Sequence, residues 1–127
     1  MSPSLLVAVA AGGAVGALAR YMVTASLPRL VGHGFPWGTV VVNVLGSLVM
    51  GVLIDLMARR WSAPAEARVF LVTGCLGAFT TFSTFSLDIV TLYERGALGA
   101  AAAYTVGSVV AGVAALFLGL WLGRTLF

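Results

Sequence analysis

Gly74-Cys-Leu-Gly-Ala-Phe-Thr-Thr-Phe-Ser-Thr-Phe-Ser-Leu-Asp88 places two glycines and five hydroxyl side chains inside a segment otherwise apolar enough to cross a bilayer. A helix in lipid satisfies its own backbone, and a break is tolerated only where protein or a water-filled cavity covers it. Gly74, Gly77, Thr80, Thr81, Ser83, Thr84 and Ser86 make this stretch a candidate for such a break. Carbonyls freed by a break can bind a cation, and freed amides or hydroxyls an anion. An unbroken helix whose hydroxyls bond back to the preceding turn is the alternative. The span alone leaves both readings open.

The surrounding composition fixes the class. Hydrophobic residues make up 61% of the 127 residues, charged residues only 9%, and the mean hydropathy is +1.09. Such a chain is too apolar for a soluble domain of this size. A spanning helix needs roughly 20 mainly apolar residues, and four windows qualify: Leu5–Leu27, Gly38–Met57, Val69–Tyr93 and Ala97–Leu122. The expected fold is an all-α membrane protein, one four-span domain over residues 1–127. Segments 28–36, 58–67 and 94–96 read as tight connectors, the first two marked by proline and glycine. A signal peptide is disfavoured, because Met1–Ser4 carries no basic residue and the first apolar run is long enough to span.

The seven cationic side chains are all arginines, and the net charge is +3. They are scattered at span ends, a pattern of topology and headgroup contact that argues against nucleic-acid binding. Arg59, Arg60, Arg68 and Arg124 fall on the side of the N-terminus. Arg29 and Arg95 fall on the other side, joined by Arg20 if it snorkels outward. So small an asymmetry predicts weak orientation and insertion in both directions. Four spans are few for a pathway lined on all sides, so self-association is expected. Gly12 and Gly16, then Ala103, Gly107 and Ala111, then Gly119 and Gly123 repeat a four-residue spacing suited to close helix contact, between chains or within one. With both orientations inserted, the closed assembly is an antiparallel homodimer.

Polar residues inside the spans are the candidate functional groups. Asn43 lies mid-span with Thr39 one turn before it; its amide either bonds to a neighbouring helix or donates to a permeating anion. Tyr104 and Ser108, four apart, can extend a line of hydroxyl donors. Phe79, Phe82 and Phe85 recur every third residue, as packing surface or as positive ring edges facing an anion. Arg20 either snorkels or forms an electropositive mouth. Asp55 and Asp88 sit toward span ends, His33 reads as a surface loop residue, and Cys75 as a small buried side chain. No metal-ligand cluster and no nucleophile-base pair is visible, so an enzyme is not expected.

The runs Gly12-Gly-x-x-Gly-Ala-x-x-Arg-Tyr21, Gly38-Thr-x-x-x-Asn43-x-x-Gly46 and Gly74-x-x-Gly77 followed by Thr80-Thr-Phe-Ser-Thr-Phe85 resemble the Fluc/CrcB family of bacterial fluoride channels. The resemblance covers the whole chain. It implies an antiparallel, dual-topology homodimer in the bacterial inner membrane, with two pathways that export fluoride passively and so lower its toxicity. It places Asn43, Phe82 and Phe85 on the pathway, with Tyr104 and Ser108 on its polar track and Arg20 in a vestibule. Thr39, Ser83 and Thr84 are further hydroxyl candidates for that path. Backbone carbonyls of Gly77 and Thr80 from both subunits would hold a structural, untransported sodium ion. Ala78 and Leu48 depart from the family's usual glycine and phenylalanine. Fluoride is small and strongly hydrated, so neutral donors that replace its water without holding it too tightly suit the task.

Two other classes also fit a four-span chain. A small multidrug-type exporter also has four spans, but proton-coupled export calls for a membrane-embedded carboxylate, typically in the first span, and this first span has none. In a non-transporting assembly subunit the polar third span would be helix-helix glue.

Overall fold

Ser2 accepts a hydrogen bond from the Leu5 amide at 3.3 Å, and Pro3 occupies the first helical turn. That cap starts α1 (Pro3–Val31). The computed structural model describes residues 1–127 and contains only helices and connectors. After α1 come α2 (Trp37–Arg59) and a composite third segment. This consists of α3 (Ala65–Arg68), a π-helical stretch (Val69–Leu76), α4 (Gly77–Phe79) and α5 (Ser83–Glu94); α6 (Leu98–Leu126) ends the chain. Four segments, Pro3–Val31, Trp37–Arg59, Ala65–Glu94 and Leu98–Leu126, are long and apolar enough to cross a membrane.

Most helix ends run beyond the apolar windows, so the first two connectors shorten to residues 32–36 and 60–64, while the third keeps its three residues, 95–97. Pro28 was expected to begin the first connector, yet α1 continues through it to Val31. Proline near a helix end forfeits only the one bond its missing amide would have made. The Gly32 amide then bonds the Pro28 carbonyl at 2.9 Å, and Gly32, with φ +90, turns the chain.

Contacts at the two ends give the topology. Ser4 donates to Glu66 at the start of the third segment, and Arg124 lies 3.6 Å from Asp55 near the end of α2. At the opposite end Arg95 donates to the Gly34 carbonyl at 2.8 Å. The first and third segments therefore run parallel, as do α2 and α6, and the two pairs are antiparallel.

Close approach within each parallel pair depends on glycine. A Cβ on Gly74 would come within 2.8 Å of the Gly12 Cα, and one on Gly16 would overlap the Cys75 carbonyl. Between α2 and α6, a Cβ on Gly119 would lie 3.0 Å from the Gly51 Cα. The spacings at Gly12/Gly16 and Gly119/Gly123 thus serve packing inside the protomer, whereas nothing lies within 4 Å of Gly107. An apolar cluster of Phe85, Leu92, Ala101 and Tyr104 joins α5 to α6 beside the connector residue Phe35.

The third segment is interrupted near its centre. Thr80 is extended, with φ −83 and ψ 160, and helix resumes only at Ser83. Phe79, Phe82 and Phe85 consequently do not form the single stripe that their spacing suggests. Phe85 is buried while Phe82 is 79% exposed. The π-helical turn before the break has no counterpart in the sequence reading.

Candidate ion pathway

The break is held by one side chain from α2. Asn43 Nδ2 donates to the Thr81 carbonyl at 3.0 Å, and the Thr81 amide donates to Asn43 Oδ1 at 2.7 Å. This two-point clamp satisfies both backbone groups that the interruption exposes at Thr81, as a membrane interior requires. The Asn43 carbonyl accepts from Ser47 Oγ at 2.7 Å, and Thr81 Oγ1 accepts the Thr84 amide at 3.3 Å, capping α5. Asn43 is therefore first a helix-to-helix bond. One of its two Nδ2 hydrogens remains free of the Thr81 contact.

Other backbone groups at the break stay open. With Thr80 extended and the Thr81 amide turned to Asn43, no backbone amide returns to the Gly77 or Thr80 carbonyl. These are carbonyl oxygens at membrane depth without protein donors, a donor set that suits a hard cation. No group of three or more His, Cys, Asp or Glu side chains offers a competing metal site.

Two cavities meet at Thr81, the one residue that lines both. The first, about 460 Å³, lies between the C-terminal half of α1, the connector after it, the start of α2 and α5. Arg20, Thr39, Thr84 and Asp88 face it, and His33 and Phe35 stand at its connector side. The second, about 390 Å³, is more open and more apolar, and lies between α2, the break and α6. Asn43, Ser47, Phe82, Phe85 and Ser108 line it.

The residues singled out in the sequence thus divide. Arg20, Thr39 and Thr84 fall in one cavity; Asn43, Phe82, Phe85, Ser108 and Thr80 fall in the other. Ser83 is exposed and lines neither. Tyr104 is 1% exposed and lines neither, because its hydroxyl donates to Asp88 Oδ2 at 2.8 Å and its ring packs on Phe35 and Phe85. Its one proton is committed to Asp88 within the protomer. Ser108 is the opposite case: its Oγ is buried and makes no hydrogen bond. A buried hydroxyl without a partner is unusual and marks a place where a ligand can supply one.

Three participants escaped the sequence reading. Thr81 reads in the sequence as one of several hydroxyls, although its backbone is the clamped element. Ser47 lies one turn after Asn43 on the face shared with Thr39, so helical spacing was a usable signal. Asp88 reads as a span-end carboxylate that its depth keeps a functional candidate; its role as acceptor for Tyr104 depends on a neighbouring helix and carries no local signature.

An interrupted third span beside two cavities, in a body of four helices apolar and long enough to cross a membrane, defines a small integral membrane protein with polar groups gathered at mid-span. The CrcB family model, described as CrcB-like protein, Camphor Resistance, matches residues 7–120, and the chain belongs to that family. Among its relatives is a protein of Agrobacterium fabrum (strain C58), 57% identical over 119 residues, or 94% of this chain and 95% of the relative. One from Rhodospirillum centenum is 53% identical over 121 residues, 95% of this chain and 96% of the relative. One from Nitrobacter winogradskyi is 51% identical over 126 residues, 99% and 100% of the two. All three bear the name fluoride-specific ion channel FluC.

Proposed function

We propose that this chain is a fluoride-specific ion channel of the bacterial inner membrane, through which fluoride leaves the cytoplasm passively. The observation that carries the reading is the near full-length likeness to proteins of that name, joined to an interrupted span with the unpartnered Ser108 hydroxyl beside it. It is a transport activity and not an enzymatic one.

The residues divide the work by chemistry. Arg20 supplies positive charge in the first cavity, where anions gather before losing water. Thr39 and Thr84 offer neutral hydroxyls there. Past Thr81, the free Asn43 N–H, the Ser108 hydroxyl and the ring edges of Phe82 and Phe85 replace hydration without a formal charge. That keeps binding weak enough for release.

The active unit is an antiparallel homodimer with two pathways. Supporting this, Phe82 is 79% exposed beside irregular backbone at membrane depth, an arrangement tolerated only under protein cover. A second copy of opposite orientation supplies that cover and closes the open side of the second cavity. Gly77 and Thr80 carbonyls from the two copies would hold a structural sodium ion between them, which fixes the breaks without being transported. The multidrug-exporter reading loses ground because the first span carries no carboxylate.

Fluoride efflux from liposomes holding purified protein, with a potassium ionophore to release the opposing voltage, tests the activity. Rapid fluoride loss with chloride retained is expected. Retention of both ions by folded protein in sodium would overturn the reading.

A further inference from the structure

The face of α6 that presents Ser108 to the second cavity continues, one helical turn at a time, at Gly112 and Leu116. Neither has a side-chain donor. An ion moving from Ser108 toward the Asp55 end of the bundle therefore loses the donors of this helix within one turn, about 6 Å. A strongly hydrated anion does not cross such a gap unless something else replaces its water.

The parallel helix α2 carries the replacement. Ser47 lines the same cavity one turn beyond Asn43. A Cβ on Gly112 would lie 3.7 Å from Ser47 Oγ, with no other atom of a neighbouring helix within 4 Å. The space left by the missing side chain at Gly112 is thus the space in front of the Ser47 hydroxyl. The remaining side chains at this level, Met50, Val109 and Val113, have no N–H or O–H to offer.

The Ser47 hydroxyl is also free to turn. It donates to the Asn43 carbonyl at 2.7 Å, but in a continuous helix that carbonyl receives the Ser47 backbone amide as well. Redirecting the hydroxyl orphans nothing, and a bond to an anion is about twice as strong as the neutral one it replaces. Tyr104 lacks this freedom, because its acceptor is the Asp88 carboxylate.

We propose that Ser47 is a pathway residue, its hydroxyl standing in for the donor that Gly112 lacks, so that the line of neutral donors crosses from α6 to α2 after Ser108. The inference rests on the channel reading above. It names the residue that receives the ion next and the helix on which the path continues.

Fluoride efflux from proteoliposomes with a potassium ionophore, and chloride as the control, tests the assignment. Ser47→Ala should lower efflux about fivefold, the effect of one hydrogen bond. Thermal unfolding in detergent should stay unchanged, since the Asn43 carbonyl keeps its helical bond. The 3.7 Å separation leaves room for a small side chain at Gly112. In the Ser47→Ala background, Gly112→Ser should restore efflux, whereas Gly112→Ala, which adds a Cβ without the hydroxyl, should not. Wild-type efflux in Ser47→Ala would overturn the proposal. Equal efflux in the two double variants would do the same, leaving Ser47 to act through the Asn43 carbonyl alone. No fluoride flux from folded wild-type protein would instead overturn the channel reading beneath it.

Discussion

Asp55 and Asp88 occupy opposite ends of one helical body and are treated in opposite ways. Asp55 is 5% exposed, with Arg59 at 2.7 Å and Arg124 at 3.6 Å, and Gly123 lets α6 close over it. Asp88 faces a cavity of about 460 Å³, and the one protein hydrogen bond to its carboxylate comes from the uncharged Tyr104 hydroxyl. At the first end charge is matched and space filled, so the end locks α2 to α6. At the second, Arg20 and Asp88 line an open void, so the field there is available to an ion. One end of the bundle is closed and the other open, and substitutions should separate them.

The largest effect is expected at the clamp joining the two regions. Asn43→Ala leaves the Thr81 amide and carbonyl unpaired at membrane depth, at a cost of about 1–3 kcal/mol for each group. Fluoride efflux should fall by about a hundredfold or more, the equivalent of ~3 kcal/mol, while circular dichroism still reports a helical protein. Efflux within twofold of wild type would mean that the break holds without Asn43.

Next come the two aromatic rings. Phe82→Ile and Phe85→Ile should each lower efflux by about tenfold, or ~1.4 kcal/mol on the barrier. They should differ in stability. Phe82 is exposed in the protomer, whereas Phe85 packs 5.1 Å from Tyr104, a contact worth about 0.5–1.5 kcal/mol. Thermal unfolding in detergent should show the loss of this ring contact in Phe85→Ile, whereas Phe82→Ile should weaken the dimer.

Asp55→Asn provides the contrast. It should lower the melting temperature while leaving efflux per folded protein unchanged, since no ion passes between Asp55 and its two arginines. A folded but silent Asp55→Asn protein would erase the distinction between the ends.

Ser108→Ala should have the smallest effect. Its hydroxyl is unpartnered in the protomer, so removing it should leave melting unchanged or raise it by up to about 1 kcal/mol of stability. Efflux should drop a fewfold through loss of one neutral donor. Equal efflux with raised stability would make Ser108 a packing residue.

Much of this architecture is legible along the chain, because in a membrane the apolar windows and the polar residues that interrupt them are governed by local rules. The number of spans follows from runs of apolar residues, and the break from glycines and hydroxyls where lipid forbids loose backbone. What escapes is relational. The periodicity of Phe79, Phe82 and Phe85 misleads because it presumes a continuous helix through Thr80. The bond from Tyr104 to Asp88 has no local mark either, because its acceptor belongs to another segment. The π-helical turn over Val69–Leu76 has no local mark; its wide backbone is accommodated by Gly12 and Gly16, some sixty residues earlier. Even Pro28, a reliable stop in a soluble helix, ends nothing here.

The Asn43–Thr81 clamp also has a direction in time. Its two halves are 38 positions apart, and Asn43 leaves the ribosome first. The helix carrying the carboxamide is therefore made before the interrupted span, whose loose backbone meets a waiting partner as synthesis proceeds from N- to C-terminus. A circularly permuted chain that delivered residues 65–94 ahead of residues 37–59 would reverse this order. It would expose the bare break to lipid during assembly, and its yield of inserted protein would suffer even if the finished fold were identical.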